Sequence, residues 1–145
     1  TVIVDYSHTP AGIENVLRSV RKISPEVDLT IVFGCGGNRD DSKRPKMARA
    51  AEIHADRVIV TSDNPRYEDP RQIIDQTMTG FIDPSPVIVE EDREAAIQLA
   101  IQSSDAGGVI VIAGKGAETT QEICGKVKPF DDRVIAEAVL QGVKG

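Results

Sequence analysis

The sequence feature that most constrains the fold is an alternation of short β-branched apolar runs with longer segments of helical periodicity. The apolar runs have the character of buried strands and lie at residues 1–5, 29–33, 57–60, 87–89 and 109–112. Between them, apolar residues recur three and four positions apart in segments 11–22, 43–54, 70–78 and 92–103. This order predicts an α/β fold, with a Rossmann-like, mostly parallel sheet covered by helices on both faces.

The last part of the chain follows a different pattern. Runs 122–124 and 127–130 flank a Gly125-Lys126 turn that is typical of a hairpin, and residues 133–143 have the periodicity of a closing helix. We therefore expect a sheet of about six strands with a C-terminal hairpin and helix. A length of 145 residues predicts one domain, residues 1–145, around one core.

Composition narrows the classes of partner. A net charge of -6 with only 3% aromatic residues argues against a nucleic-acid binder, which usually shows a basic face and stacking aromatics. No run approaches the roughly 20 apolar residues of a membrane span, and no secretory signal precedes the first strand. Cys35 and Cys124 have neither disulfide-framework nor zinc-ligand spacing. We expect a cytoplasmic protein with no nucleic-acid partner, no membrane partner and no metal site of its own.

Polar loops directly follow four of the predicted strands, at residues 6–10, 34–40, 61–66 and 114–116. In open α/β sheets, ligands bind in the crevice outside the carboxyl ends of the strands. We therefore expect the four loops to converge on one binding site at that edge of the sheet.

The loop after the second strand contains Gly34, Gly36 and Gly37, followed by the basic residues Arg39, Lys43 and Arg44, which can equally be a solvated basic helix start. Glycines allow a backbone to approach an anion closely, but they also serve in ordinary tight turns, and the residues alone leave both interpretations open. Neither the dinucleotide fingerprint nor a G-x-x-x-x-G-K-[ST] phosphate loop occurs in the chain.

The loop after the third strand holds Asp63, Asn64 and Arg66, which together offer an acceptor, an amide and a planar set of donors. Such a set can bind a zwitterion, with the carboxylate on Arg66 and the ammonium on Asp63. The same residues can instead form a helix-capping turn before Pro70. Glu118 adds a second carboxylate after the last strand of the sheet.

The two histidines and the acidic residues near position 131 are weaker candidates for functional residues. No serine or cysteine nucleophile arrangement surrounds His8, so a positioning or nucleotide-contact role is favoured over general base catalysis. His54 ends an apolar-striped helix and is interpreted as structural. Asp131, Asp132 and Arg133 are expected to cap and charge-balance the final helix. No residue is assigned as catalytic.

Five motifs in register resemble the carboxyl-terminal domain of the Mur ligases, most closely the diaminopimelate-adding members. They are 5–10 (DYSHTP), 33–45 (FGCGGNRDDSKRP), 62–70 (SDNPRYEDP), 114–118 (GKGAE) and 130–133 (FDDR). The resemblance implies the third, lid-like domain of an ATP-dependent amide ligase. In that family the N-terminal domain binds the UDP-sugar, and the central domain binds ATP and Mg²⁺.

The implied reaction adds meso-diaminopimelate to UDP-N-acetylmuramoyl-L-Ala-D-Glu during peptidoglycan synthesis, by attack of the amine on an acyl phosphate. The N-terminal and central domains are expected to lie outside this chain and to supply the contacts with ATP and the UDP-linked dipeptide, so that the chain alone is not catalytic. Its start at Thr1, within a strand and without methionine, is what we expect of a segment of a longer protein.

Matched residue by residue, the resemblance implies two sets of site residues. The residues implied to bind meso-diaminopimelate are Arg39, Asp63, Asn64, Arg66, Gly114 and Glu118. Those implied to lie near the nucleotide are Asp5, His8 and Asn38. Two positions depart from the family pattern, with Ala117 in place of a histidine and Val134 in place of a glutamate.

Two other functions fit the same loops. One is another ligase of the superfamily, of the cyanophycin-synthetase or folylpolyglutamate-synthetase type, which would join this domain to a different substrate module. The other is a free-standing amino-acid-binding module. The sequence next to this domain in the whole protein would discriminate among them.

Overall fold

A computed structural model describes residues 1–144. The strands are β1 (Val2–Asp5), β2 (Leu29–Phe33), β3 (Arg57–Val60), β4 (Ile88–Val89), β5 (Val109–Ala113), β6 (Thr120–Ile123) and β7 (Lys126–Pro129). The helices are α1 (Pro10–Ile23), α2 (Lys43–His54), α3 (Pro70–Met78), α4 (Arg93–Ser103) and α5 (Asp132–Lys144). The predicted α/β class is confirmed.

The main sheet has the strand order β1-β5-β2-β3-β4, and all of its pairings are parallel. It contains five strands where about six were expected, because β6 and β7 pair with each other as a separate antiparallel hairpin and with no strand of the main sheet. Since every strand of the sheet is parallel, their carboxyl ends and the loops that follow them lie along one edge.

Helices cover both faces of the sheet. Alternate residues of β2 point to opposite sides, with Leu29, Ile31 and Phe33 packing against α1, α2 and α3, and Val32 packing towards α4 and α5. All four side chains are fully buried, and burying an aliphatic or aromatic side chain of this size stabilises a fold by about 1.5–3 kcal/mol. The two-sided burial explains why β2 is a continuous apolar run.

Side-chain caps determine where the loops end and the helices begin. Thr9 Oγ1 accepts a hydrogen bond of 3.0 Å from Gly12 N at the start of α1, and Asp69 accepts one of 3.0 Å from Arg71 N at the start of α3. Proline occupies the first helical position in both cases, where its missing N–H costs nothing. These caps fix the length of the polar loops after β1 and β3.

The hairpin differs in detail from the prediction. Its turn is Cys124-Gly125 rather than Gly125-Lys126, and β6 begins at Thr120 instead of residue 122. Both turn residues have positive φ, 53° and 74°, as the two-residue turn between right-twisted strands requires. Among residues 1–144, no helix has the length and apolar character needed to cross a membrane.

Candidate functional site

A cleft of ≈ 310 Å³ lies at the carboxyl ends of the strands, where the loops after β1, β2, β3 and β5 meet. All six residues expected to bind the amino acid line it, and so does His8, whereas Asp5 and Asn38 are outside its lining. The six are Arg39, Asp63, Asn64, Arg66, Gly114 and Glu118. The structure therefore brings together residues that are as far as 79 positions apart in the chain, such as Arg39 and Glu118.

Lys115 lies behind the cleft wall, and its side chain is 0% exposed. Its Nζ donates hydrogen bonds to Asn64 Oδ1 at 2.9 Å and to Glu118 Oε1 at 3.3 Å, and it lies 3.8 Å from Asp63 Oδ1. Asn64 Nδ2 in turn donates to the same oxygen of Glu118, at 3.2 Å. The expected site residues after β3 and β5 thus form one polar network around a buried ammonium group.

Asp63 is the least satisfied member of that network. Its side chain is 12% exposed, and Oδ1 is buried without a hydrogen-bond partner. Burial raises the pKa of the Asp63 carboxyl above its ordinary value, against the opposing effect of the Arg93 and Lys115 charges. Because Asp63 lines the cleft and remains partly exposed, its carboxylate is suited to accept an ammonium group from a ligand.

Arg66 is held by the backbone around it. It has a positive φ of 53°, and its Nη1 donates to Gly37 O at 2.9 Å and to Asn64 O at 3.3 Å. Its guanidinium is thereby oriented at the cleft, where it can pair with a carboxylate. Arg39 is also in the lining but is exposed.

Two glycines of the loop after β2 are required by packing between loops. A Cβ on Gly34 would lie 2.5 Å from Thr61 O, and one on Gly37 would lie 1.8 Å from Pro65 O. The Gly37 amide donates to Asn64 O at 2.7 Å, so it is already used within the protein. Of the two interpretations left open by the sequence, the structure supports the close turn for these two glycines. Gly36 is the glycine of this loop that lines the cleft.

Arg44, counted from the sequence among solvated basic residues at a helix start, is instead 2% exposed. Its guanidinium donates to Glu68 Oε1 at 3.0 Å, to Gln76 Oε1 at 2.7 Å and to Gly36 O at 3.0 Å. Hydrogen bonds from Arg44 hold the pKa of the Glu68 carboxyl below its ordinary value. Arg44 therefore connects the loop after β2 to the loop after β3.

Asn38 takes part in the same connection. Its backbone N–H donates to Glu68 Oε1 at 2.6 Å, and its side-chain Oδ1 accepts from Tyr67 N at 3.1 Å. Its positive φ of 54° suits asparagine better than most residues. These contacts give Asn38 a clear structural role, and its position near a nucleotide stays a prediction.

The loop after β1 contributes His8 and Tyr6 to the cleft. Their rings meet edge to face with centroids 5.0 Å apart, and His8 Nδ1 lies 3.0 Å from Tyr6 O. Asp5 turns back onto its own loop, where Oδ2 accepts from Ser7 N at 2.8 Å and from the Ser7 hydroxyl. His54, at the end of α2, lies outside the cleft, with its Nε2 3.8 Å from Glu14 Oε1.

The hairpin supports the loop after β3 from below. Arg66 pairs with Ile123 in an isolated bridge, in which Arg66 N donates to Glu122 O at 2.9 Å. Gln121 Nε2 donates to Asp63 O at 2.9 Å, and Glu122 N donates to Asn64 Oδ1 at 3.1 Å. The loop that carries Asp63, Asn64 and Arg66 is therefore fixed by a distant part of the chain, and it is not the helix-capping turn that was the alternative interpretation.

A third buried cation, Arg93, lies outside the cleft lining. Its guanidinium donates to Asp132 Oδ1 at 2.8 Å and Oδ2 at 2.6 Å, and both side chains are 0% exposed. It also donates to Ser62 O at 2.9 Å and to Ala113 O at 3.2 Å, the chain positions that follow β3 and end β5. Asp132 is thus a buried ion-pair partner, a role that the sequence did not reveal, while Asp131 performs the expected capping by accepting from Arg133 N.

Cys35 lines the cleft but is not a reactive thiol. Burial raises its pKa to about 11, with the Thr77 hydrogen bond opposing that rise. The thiolate is the reactive form of cysteine, and at neutral pH this group is almost wholly protonated. Within residues 1–144, no group of three or more histidine, cysteine, aspartate or glutamate side chains is arranged to hold a metal ion.

The family of Mur ligase, glutamate ligase domains matches residues 1–116 of the chain. The chain is similar to the UDP-N-acetylmuramoyl-L-alanyl-D-glutamate--2,6-diaminopimelate ligase of Aquifex aeolicus, with 49% identity over 142 residues. That alignment covers 98% of this chain and 29% of the relative. The chain therefore spans less than a third of the length of this relative.

Two solved structures superpose on the chain at different levels of sequence identity. A UDP-N-acetylmuramoyl-L-alanyl-D-glutamate--2,6-diaminopimelate ligase superposes with a TM-score of 0.92 at 42% identity, over 99% of this chain and 30% of its own. A folylpolyglutamate synthase from Thermotoga maritima superposes with a TM-score of 0.58 at 30% identity, over 78% of this chain and 24% of its own.

Proposed function

Since the chain belongs to the family of Mur ligase, glutamate ligase domains, we propose that it is the amino-acid-binding, carboxyl-terminal domain of a meso-diaminopimelate ligase. The proposed reaction is the ATP-dependent addition of meso-diaminopimelate to UDP-N-acetylmuramoyl-L-alanyl-D-glutamate. The names of the relatives support this assignment, and the greater likeness to the diaminopimelate ligase than to the folylpolyglutamate synthase favours it over the other ligase type.

The observation that carries the proposal is the pattern of charge in the cleft. Arg39 and Arg66 supply two guanidinium groups, while Asp63 and Glu118 supply two carboxylates. meso-Diaminopimelate carries an ammonium and a carboxylate at each end, so both kinds of protein charge find a partner. The Asp63 carboxylate, which lines the cleft and is 12% exposed, is the acceptor that an ammonium group of the ligand would pair with.

The contribution of this chain to catalysis is positioning. By binding the amino acid through fixed charges, the cleft orients one amine for attack and lowers the entropic part of the barrier. Arg66 and Asn64 are themselves fixed by hydrogen bonds to the neighbouring loops, which limits the reorganisation required on binding. No residue of the chain is assigned to proton transfer.

The residues present do not form a complete site for ATP and Mg²⁺. The chain has no phosphate-binding loop of the G-x-x-x-x-G-K-[ST] type, and residues 1–144 contain no metal-ligating cluster. We propose that other domains of the enzyme hold ATP, Mg²⁺ and the UDP-linked dipeptide, that His8 faces the nucleotide, and that the chain is not catalytic alone. We propose that the enzyme works in the cytoplasm, where ATP is available as its co-substrate.

The test is substitution of Arg66 in the full-length ligase. Arg66→Ala removes a charged bidentate contact, so we expect the KM for meso-diaminopimelate to rise by a factor that corresponds to roughly 2–4 kcal/mol, with the KM for ATP nearly unchanged. Steady-state kinetics with each substrate varied in turn measures both.

Arg71→Ala is the matched control, because Arg71 lies exposed on α3, where its Nε is 3.6 Å from Asp75 Oδ1. It should leave both KM values unchanged. Equal effects of Arg66→Ala on the two substrates would remove Arg66 from the amino-acid site and would count against the proposed function.

A further inference from the structure

Lys115 is the residue of the cleft network to which neither the motifs nor the cleft lining assigns a role. A lysine ammonium that is 0% exposed needs nearby acceptors to replace the water that it has lost. Asn64 Oδ1 at 2.9 Å, Glu118 Oε1 at 3.3 Å and the Asp63 carboxylate at 3.8 Å are those acceptors. Three of the six expected ligand-binding residues are thus organised around this one cation.

The first consequence concerns the orientation of Asn64. Its Oδ1 accepts from Lys115 Nζ and from Glu122 N at 3.1 Å, so the amide nitrogen must point the other way. There Nδ2 donates to Glu118 Oε1 at 3.2 Å. The Lys115 ammonium and the Glu122 N–H thus fix the orientation of the Asn64 amide together. Lys115 and Asn64 both donate to Oε1 of Glu118, which leaves Oε2 for a ligand.

The second consequence concerns charge. Asp63 and Glu118 carry two negative charges towards the cleft, and Lys115 cancels one of them from behind. An amino acid such as L-lysine has a net charge of about +1 at neutral pH, whereas meso-diaminopimelate has none. A fixed positive charge next to the carboxylates opposes the cationic ligand more than the neutral one.

We propose that Lys115 is a specificity-determining positioning residue, whose buried ammonium orients Asn64 and Glu118 and makes the cleft prefer a doubly zwitterionic amino acid to a cationic one. This inference rests on the proposed function. It does not require Lys115 to touch the substrate, because its effect is carried by the two side chains that it holds and by its charge.

The experiment compares kcat/KM for meso-diaminopimelate and for L-lysine in the full-length ligase, with and without Lys115→Met. Methionine keeps most of the length of the side chain and removes the charge. We expect the ratio of kcat/KM for diaminopimelate to that for lysine to fall about tenfold or more, mainly through KM, since one charge is lost at short range in a poorly solvated site. Lys115→Arg should restore most of the ratio, because it restores the charge.

Lys126→Met is the matched control, since Lys126 is exposed at the start of β7, and it should leave the ratio unchanged. If Lys115→Met lowers both values of kcat/KM by the same factor, or changes neither, the role of Lys115 is overturned while the proposed function stands. If the unaltered ligase does not use diaminopimelate, the proposed function itself is overturned.

A measurement without substitution covers the case in which Lys115→Met does not fold. In ¹⁵N spectra of the unaltered chain at neutral pH, the Lys115 ammonium should give a separate, slowly exchanging signal that shifts when meso-diaminopimelate is added. An ammonium signal that exchanges as fast as those of exposed lysines, or that ignores the ligand, would overturn the proposal.

Discussion

Two of the buried basic side chains, Arg93 and Lys115, lie at the same edge of the sheet but are satisfied to different degrees. Arg93 makes hydrogen bonds with both oxygens of Asp132 and with two backbone carbonyls, and its carboxylate partner is 0% exposed. Lys115 shares its charge among Asn64, Glu118 and Asp63. Glu118 is 37% exposed, and Asp63 Oδ1 has no hydrogen-bond donor.

The difference separates a structural ion pair from a binding site. The Arg93–Asp132 pair is complete within the protein, so a ligand could add nothing to it, and it ties α4 and α5 to the ends of β3 and β5. The Lys115 network reaches the cleft through Asp63, Asn64 and Glu118, which line it, so a ligand can add hydrogen bonds to the network there. Incompletely satisfied polar groups beside a cleft are a common mark of functional sites.

The largest effect on stability should come from the complete pair. Arg93→Met leaves the Asp132 carboxylate buried without a counter-ion, which should lower the free energy of unfolding by about 3–5 kcal/mol. Chemical denaturation of the chain measures the loss.

The matched control for Arg93→Met is Arg133→Met, which breaks the pair between Arg133 and Asp131. The Arg133 side chain is 53% exposed, so this change should cost no more than about 1 kcal/mol. If the two substitutions lowered the free energy of unfolding equally, the buried Arg93–Asp132 pair would not be more important for stability than an exposed ion pair.

A substitution in the Lys115 network should have the opposite effect on stability. Asp63→Asn keeps the shape of the side chain and removes a buried charge, so we expect the free energy of unfolding at neutral pH to rise by roughly 1 kcal/mol while the affinity for meso-diaminopimelate falls. Denaturation and ligand titration of the same variant measure the two quantities. A variant that binds as before, or that is destabilised as strongly as Arg93→Met, would contradict the assignment of Asp63 to the site.

The raised pKa of Asp63 also determines the direction in which stability changes with pH. Between the ordinary carboxyl pKa and the raised value in the folded state, the folded chain binds more protons than the unfolded chain, so this group makes stability fall as pH rises. The stability difference between the unaltered chain and Asp63→Asn should therefore widen with pH across that window and then become constant. Affinity for an ammonium ligand should rise over the same window, because Asp63 becomes ionised.

Most of the fold could be predicted because its signals are local. The bounds of α2 and α3 match the predicted segments 43–54 and 70–78, since apolar spacing and Pro70 define them within a few residues. The predicted hairpin turn was one residue away from the observed turn. A turn at Cys124 and Gly125 needs positive φ at a cysteine, which the sequence does not predict. Pairing of β6 with β7 alone, outside the main sheet, is a tertiary outcome.

The membership of the site was partly predictable, but its organisation was not. Motifs identified the loops, whereas the burial of Lys115 depends on Asn64, 51 residues away, and that of Arg93 on Asp132, 39 residues away. A lysine or arginine is expected at the surface unless its partner is known. The position of Lys115 between two glycines directly after a strand was the available signal.

The most direct test of the amino-acid site is an NMR titration of this chain with meso-diaminopimelate and, separately, with L-lysine. We expect diaminopimelate to shift the signals of Arg39, Asp63, Arg66 and Glu118, and the signals of Arg93 and Asp132 to change little. Lysine should produce clearly smaller shifts at the same residues. Equal shifts with both ligands, shifts away from the cleft, or no shifts with either ligand would contradict the account.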